Sequence, residues 1–275
     1  MTQLERGLEI LIKEPFRHSA PKAVLFDFDG TISTLRQGWE AIMRSFMIEM
    51  ISGGSIIGDA TVKEVDDYIE ASTGIQTIHQ MIWLTDAVKR FGNRNNIAEN
   101  PWIYKAEYNR RLMEEVETRK KLLSSGLLHQ SDFLISGSEP LLSILTKKNV
   151  HLYVASGTDD PDVKEEARVL GISKYFTEIT GAPIGKIDCS KEMVLKKLIS
   201  EKQLQGPEVV VIGDGKVEIS LAKEVGAIPL GVASDEIKRS GINSAKRERL
   251  INAGALAIVD CFEQIDEILM WLGLF

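Results

Sequence analysis

Cysteine is nearly missing from this chain: Cys189 and Cys261 are the only two in 275 residues. Two thiols support neither a disulfide framework nor a zinc site built on thiolates, and both read as free thiols of a reducing compartment. Long apolar runs are missing as well. No window approaches the ~18 apolar residues that a bilayer span requires, so no membrane partner is expected. In segment 1–18, Glu5, Glu9 and Glu14 interrupt the apolar residues, against the pattern of a cleavable signal. A cytoplasmic chain is the expectation. An excess of positive charge is also absent, since 33 Lys and Arg face 40 Asp and Glu for a formal charge of -7. That balance argues against nucleic acid as the main partner, while leaving room for a local basic pocket that holds a small anion. The four histidines, His18, His79, His129 and His151, show no metal-ligand spacing.

What is present is an ordinary globular composition, 44% hydrophobic and 27% charged, long enough for a core domain and a smaller second one. Leu4, Leu8, Leu11 and Ile12 recur at helical spacing, which predicts a short N-terminal amphipathic helix ended by Pro15. The run Ala23 to Phe28 then stops abruptly at Asp29-Gly30-Thr31, the pattern of a buried parallel strand that delivers polar groups at its end. Over 36–130 apolar residues recur at three and four, with breaks at Ser52-Gly53-Gly54 and Thr73-Gly74, predicting a helical insert. Strand and helix patterns alternate afterwards. Strands are expected at 151–155, 175–180, 208–212, 228–232 and 255–259, with Ser190 capping a helix that begins at Lys191. This alternation predicts an α/β fold: a doubly wound, mostly parallel sheet from 1–35 and 131–275, with a smaller α-helical domain at 36–130.

Three predicted strands end in polar groups: Asp27 with Asp29, Ser156, and Asp214 with Glu218. The carboxyl ends of parallel strands border one crevice, so these three distant clusters should converge. Asp27 and Asp29 are separated by one residue where the chain turns. One carboxylate can then act as nucleophile while the other serves the leaving group as acid and base. Asp27 and Asp214 supply hard anionic oxygens of the kind Mg²⁺ prefers, and Gly30 lets the backbone come close. A metal is needed because an anionic nucleophile must approach an anionic phosphoryl group.

Asp27-Phe28-Asp29-Gly30-Thr31 resembles the first signature of the haloacid dehalogenase superfamily, an Asp-x-Asp-x-Thr after an apolar strand. Ser156 resembles the second signature, and Gly213-Asp214 with Glu218 four residues on resembles the fourth. The third signature is a lysine. Lys191 fits it best, 23 residues before Asp214 and at a helix start, with Lys186 as the runner-up. The resemblance covers about 22–35 and 136–259, and departs at Glu218, where the family more often has Asp. It implies a Mg²⁺-dependent phosphatase of small phosphorylated metabolites, a sugar or polyol phosphate among them, working through an aspartyl-phosphate. It further implies catalytic roles for Asp27, Asp29, Ser156 and Lys191, and metal ligation by Asp27, Asp214, the Asp29 carbonyl and, nearby, Glu218. Lys191 should point at Asp27 and Asp214. Asp29 argues against the dehalogenase branch, whose leaving halide needs no proton. A phosphosugar mutase keeps the same acid and stays open beside a non-catalytic binding module. The insert resembles the cap that selects substrate in such enzymes. Arg36, Gln76, Gln80 and Trp83 are its candidates to face the cleft, whereas Trp39 reads as packing and Lys216 as a surface residue.

Overall fold

The computed structural model describes residues 7–12, 20–91, 100–187 and 191–275. Its strands are β1 (Leu8–Ile10), β2 (Ala23–Phe26), β3 (His151–Asp159), β4 (Glu178–Ala182), β5 (Val209–Gly213), β6 (Ile228–Val232) and β7 (Ala257–Val259). They form one sheet in the order β1-β7-β6-β5-β2-β3-β4, parallel except for β1, which runs antiparallel to β7. Every residue of β2 and β5 is buried, as expected of strands covered on both faces. Side chains alternate between those faces. Val24 and Phe26 pack with α5 (Ser138–Lys147), α6 (Asp160–Val169) and α10 (Ile265–Trp271), while Ala23 and Leu25 pack with α7 (Lys191–Glu201) and α8 (Lys216–Glu224). The helix α9 (Ser244–Ala253) lies beside α8 through Leu250 and Ile219.

Four helices precede this alternation: α1 (Trp39–Ser52), α2 (Asp59–Ala71), α3 (Thr77–Phe91) and α4 (Pro101–Ser124). They bury a core of their own around Met43, Phe46, Met81, Leu84 and Tyr108. The longest, α4, starts with Pro101, and the Asn100 side chain accepts from the Trp102 amide at 3.0 Å. None of the helices described is long and apolar enough to cross a membrane.

Three expectations need correction. Residues 8–10 form a strand and not a helix: Leu8, Glu9 and Ile10 pair with Val259, Ile258 and Ala257. A short isolated helix is marginal, whereas the open edge of β7 offers ready backbone partners, and Arg247 holds Glu9 at 2.6 Å. The fourth strand lies three residues later than expected, because Tyr175 and Phe176 pack on the core from the turn before it. The third strand runs past Ser156 to Asp159, with a register shift between Ala155 and Asp159. Pro15, Cys189 and Ser190 lie outside the described residues.

Phe26 is 1% exposed and meets Phe176 edge-on at 6.2 Å. Phe26→Ala should therefore cost about 3–5 kcal/mol through lost burial and the cavity left behind. Urea unfolding should show a lower midpoint at an unchanged slope, and a loss under ~1 kcal/mol would mean that the sheet collapses onto the vacancy.

Candidate active site

β2 is the centre of the sheet, paired with β3 on one side and β5 on the other. The chain leaves β2 toward β3 and β4, then returns to β5 across it. That reversal opens a crevice at the carboxyl end of β2, where ligands of open α/β sheets bind. Asp27 stands there. Its amide still extends the sheet by donating to the Ile212 carbonyl at 2.8 Å, while Phe28 donates to its Oδ1 at 2.8 Å and turns the chain. Gly30 completes the turn at φ 73°, and a Cβ there would lie 2.5 Å from Asp214 Oδ2. Only glycine allows this approach of loop to carboxylate.

The crevice gathers all six predicted residues. Lys191 Nζ lies 2.9 Å from Asp27 Oδ2 and 3.1 Å from Glu218 Oε2. Asp27, Asp214 and Glu218 each offer an oxygen within 4.8 Å of the others. Glu218 stands in the first turn of α8, where its Oε1 accepts from the Gly215 amide at 2.7 Å. Asp29 Oδ2 accepts from the Thr158 hydroxyl at 2.8 Å and weakly from Ser156 at 3.5 Å. Its Oδ1 is buried without a hydrogen bond, 4.0 Å from Arg36 Nε.

Lys191, not Lys186, holds Asp27; Lys186 is exposed on the preceding loop. The lysine does not reach Asp214 as expected. Lys246 takes that place, 2.7 Å from Asp214 Oδ2 and 2.6 Å from Glu236 Oε1. Lys246, Glu236 and Thr158 went unread in the sequence. Thr158 had a signal in the triplet Ser156-Gly157-Thr158, but Lys246 sits on α9, a helix without a motif.

Burial pushes the Asp27 carboxyl well up; Lys191 opposes the shift, and Glu218 and Asp214 reinforce it. Asp29 is also pushed up by burial, against Arg36 and the Thr158 hydroxyl. Burial would lower the Lys191 ammonium, but Asp27 and Glu218 outweigh it and hold it charged.

The insert closes on this crevice. A Cβ on Gly74, in the turn between α2 and α3, would lie 3.3 Å from Glu218 Oε2 and 3.8 Å from Lys191 Nζ. Arg249 of α9 bridges the two parts, 2.6 Å from Glu70 Oε1 and 3.2 Å from the Asp214 carbonyl. The pocket between them measures about 90 Å³. Arg36 and Gln80 line it as expected, and Trp39 lines it against expectation. Trp83 does not: it stacks on Tyr68, with ring centroids 4.0 Å apart.

A family model described as haloacid dehalogenase-like hydrolase matches residues 21–226. Solved structures that resemble the chain include a predicted phosphatase from Clostridium acetobutylicum, at TM-score 0.60 and 18% identity over 92% of this chain and 99% of that one. A β-phosphoglucomutase from Clostridium difficile gives TM-score 0.58 and 20% identity over 92% and 97% of the two chains. A predicted phosphoglycolate phosphatase from Haemophilus somnus gives 0.60 and 15% over 91% and 98%. At such identities the likeness speaks for the fold alone. No curated protein sequence matches the chain.

Behind Asp29 lies a second buried charge system. Arg36 Nη2 donates to Glu166 Oε1 at 2.6 Å, and Glu166 is fully buried. Burial pushes Glu166 up to about 7, further than Arg36 can lower it. Between the ordinary value of 4.5 and about 7, the folded chain keeps a proton that the unfolded chain has released. Stability should therefore fall as pH rises through that window, by about 3 kcal/mol at most. Urea unfolding at pH 5 and 7.5 should show this fall, and Glu166→Gln should flatten it. An unchanged pH slope in the variant would assign the proton to another group.

Proposed function

Because the chain belongs to the haloacid dehalogenase-like hydrolase family, we propose that it is a cytoplasmic phosphohydrolase of small phosphorylated metabolites that carries the phosphoryl group on Asp27. The observation behind this reading is the pairing of Asp27 with Lys191 at 2.9 Å, at the crevice end of the central strand, with Asp29 two residues on.

In this mechanism the Asp27 carboxylate attacks phosphorus in line and forms an O–P bond as the ester O–P bond breaks. Asp29 gives its proton to the departing oxygen. The raised affinity of Asp29 for a proton suits that role, and the Thr158 hydroxyl on Oδ2 orients the carboxyl. Asp29 then takes a proton from water, whose oxygen attacks the aspartyl-phosphate and releases phosphate from Asp27. Lys191 and Ser156 hold the phosphoryl oxygens.

The donor set fits a divalent cation. Three carboxylate oxygens lie within 4.8 Å of one another, and the missing side chain of Gly30 leaves open the space 2.5 Å from Asp214 Oδ2. Hard oxygens of this kind suit Mg²⁺, held by Asp27, Asp214 and the Asp29 carbonyl with Glu218 assisting. When bound, the ion would neutralise charge on the phosphoryl group and on the acids around it. The 36–130 insert would act as the cap. Its turn at Gly74 limits water at Lys191, and a pocket of about 90 Å³ favours a small substrate.

Asp27→Asn should abolish phosphate release while leaving the fold intact, because the amide is no nucleophile. Near-normal turnover in the variant would sink the mechanism. Beryllium fluoride should attach to Asp27, and attachment elsewhere would reassign the nucleophile. Chelation of divalent ions should stop phosphate release, and Mg²⁺ should restore it.

Asp29→Ala should separate leaving groups by their need for a proton. The rate with an alkyl phosphate should drop about 10²–10⁴-fold, the usual yield of general acid catalysis. The loss with 4-nitrophenyl phosphate, which departs unprotonated, should be far smaller. Equal losses would make Asp29 a structural or metal-binding residue.

A further inference from the structure

The charge of the pocket wall bears on the alcohol that leaves. Two cations line the pocket, Arg36 and Lys191, and both are engaged. Arg36 is held by Glu166 and Asp162, at 2.6 and 3.4 Å, and Lys191 by Asp27 and Glu218. Carboxylates are in excess. Asp27, Asp29 and Asp214 belong to the chemistry, and Glu236 is tied to Lys246. Glu40 also lines the pocket, and it makes no ion pair among the described residues.

Glu40 lies in the first turn of α1, where the positive end of the helix favours a carboxylate. Two aromatic side chains of the insert, Trp39 and Tyr108, share the wall with it. Arg36, Glu40 and Asp29 all act on the buried Tyr108 phenol, and Lys246, Asp214 and Arg249 act on Glu40. The lysine is already held by Asp214 and Glu236, and Arg249 by Glu70. The glutamate therefore shares one pocket with the two acids Asp27 and Asp29 and with Tyr108. A carboxylate that shares a pocket wall with aromatic rings suits an ammonium group, which can gain from both. An anion at the same place would meet Glu40 and no available cation among the described lining residues.

Resting on the phosphatase reading, we propose that the substrate is an aminoalkyl phosphate, with Glu40 receiving its ammonium group and Trp39 and Tyr108 flanking it. The transfer itself is unchanged. Asp27 forms the O–P bond, the alcohol oxygen takes its proton from Asp29, and the amino alcohol leaves with its ammonium intact. The same wall disfavours carboxylate-bearing esters and any second phosphate, which a mutase must hold in place.

Three two-carbon esters of matched size test this: 2-aminoethyl phosphate, 2-hydroxyethyl phosphate and phosphoglycolate. With the full chain and Mg²⁺, kcat/KM should fall in that order, by about tenfold or more at each step, as one well-formed charge contact is worth. Glu40→Gln should compress the ratio of the first to the second, and Glu40→Lys should move phosphoglycolate to the top. Thermal melting of both variants checks that they fold. Phosphoglycolate turned over as well as the hydroxyethyl ester, or a ratio that Glu40→Gln leaves unchanged, would overturn the proposal. A run with 4-nitrophenyl phosphate separates the two readings. Aryl ester hydrolysis without the charge ranking sinks this proposal alone, and no phosphate release from any of the four esters sinks the phosphatase reading with it.

Discussion

A carboxylate at the dry end of a central strand dictates much of what surrounds it. Asp27 is 6% exposed and continues the hydrogen bonding of β2, so it can neither swing into water nor be left alone. An unpaired buried charge costs several kcal/mol, about 3–5 when a partner is removed. The fold answers with Lys191, which comes from α7 on one face of the sheet and reaches the crevice at its rim. Glu218 shares that ammonium, and its other oxygen is taken by the Gly215 amide. Two carboxylates against one ammonium leave a net negative charge here, so holding a phosphoryl anion as well is the physical case for a divalent cation.

The same economy repeats twice around the crevice. Lys246 joins Asp214 to Glu236, and Arg36 joins Glu166 to Asp162 with Asp29 at 4.0 Å. Each buried cation bridges two carboxylates. Such bridges give little net stability, because desolvation consumes most of the attraction, but they hold side chains in one arrangement. Position is what phosphoryl transfer requires, since its catalysis rests on alignment and charge more than on covalent help from the protein.

Asp27, Asp29, Asp214 and Lys191 were legible in the sequence because their signals are local. An apolar run that stops at an acid marks a strand end, and strand ends of a parallel sheet share one edge. Lys191 could be chosen over Lys186 because a helix start constrains a side chain more than a loop does. Lys246 carried no such signal: its helix binds the site through a contact with Asp214, 32 residues earlier. Residues 8–10 misled for a different reason. A few apolar residues satisfy helical and strand periods equally, and the open edge of β7 decided between them.

The insert was legible as a helical part that faces the cleft, with Arg36 and Gln80 on its wall, but not residue by residue, and the tryptophans show why. Trp39 and Trp83 both recur with apolar neighbours at helical spacing, so periodicity assigns both to packing or both to the cleft. What separates them is where each helix sits relative to the turn after β2. Trp39 opens α1 three residues after Arg36, whose guanidinium is anchored to α6, so the start of α1 is held against the crevice. Trp83 lies in mid-α3, where its ring finds Tyr68 of α2. Specificity in this architecture thus depends on the docking of one part of the chain on another. That docking rests on bridges such as Arg249 to Glu70 and Lys105 to Asp159, between residues far apart in sequence. A one-dimensional pattern carries the strand ends that meet in the crevice, because topology brings them together. It carries much less of the wall that chooses what the chemistry acts on.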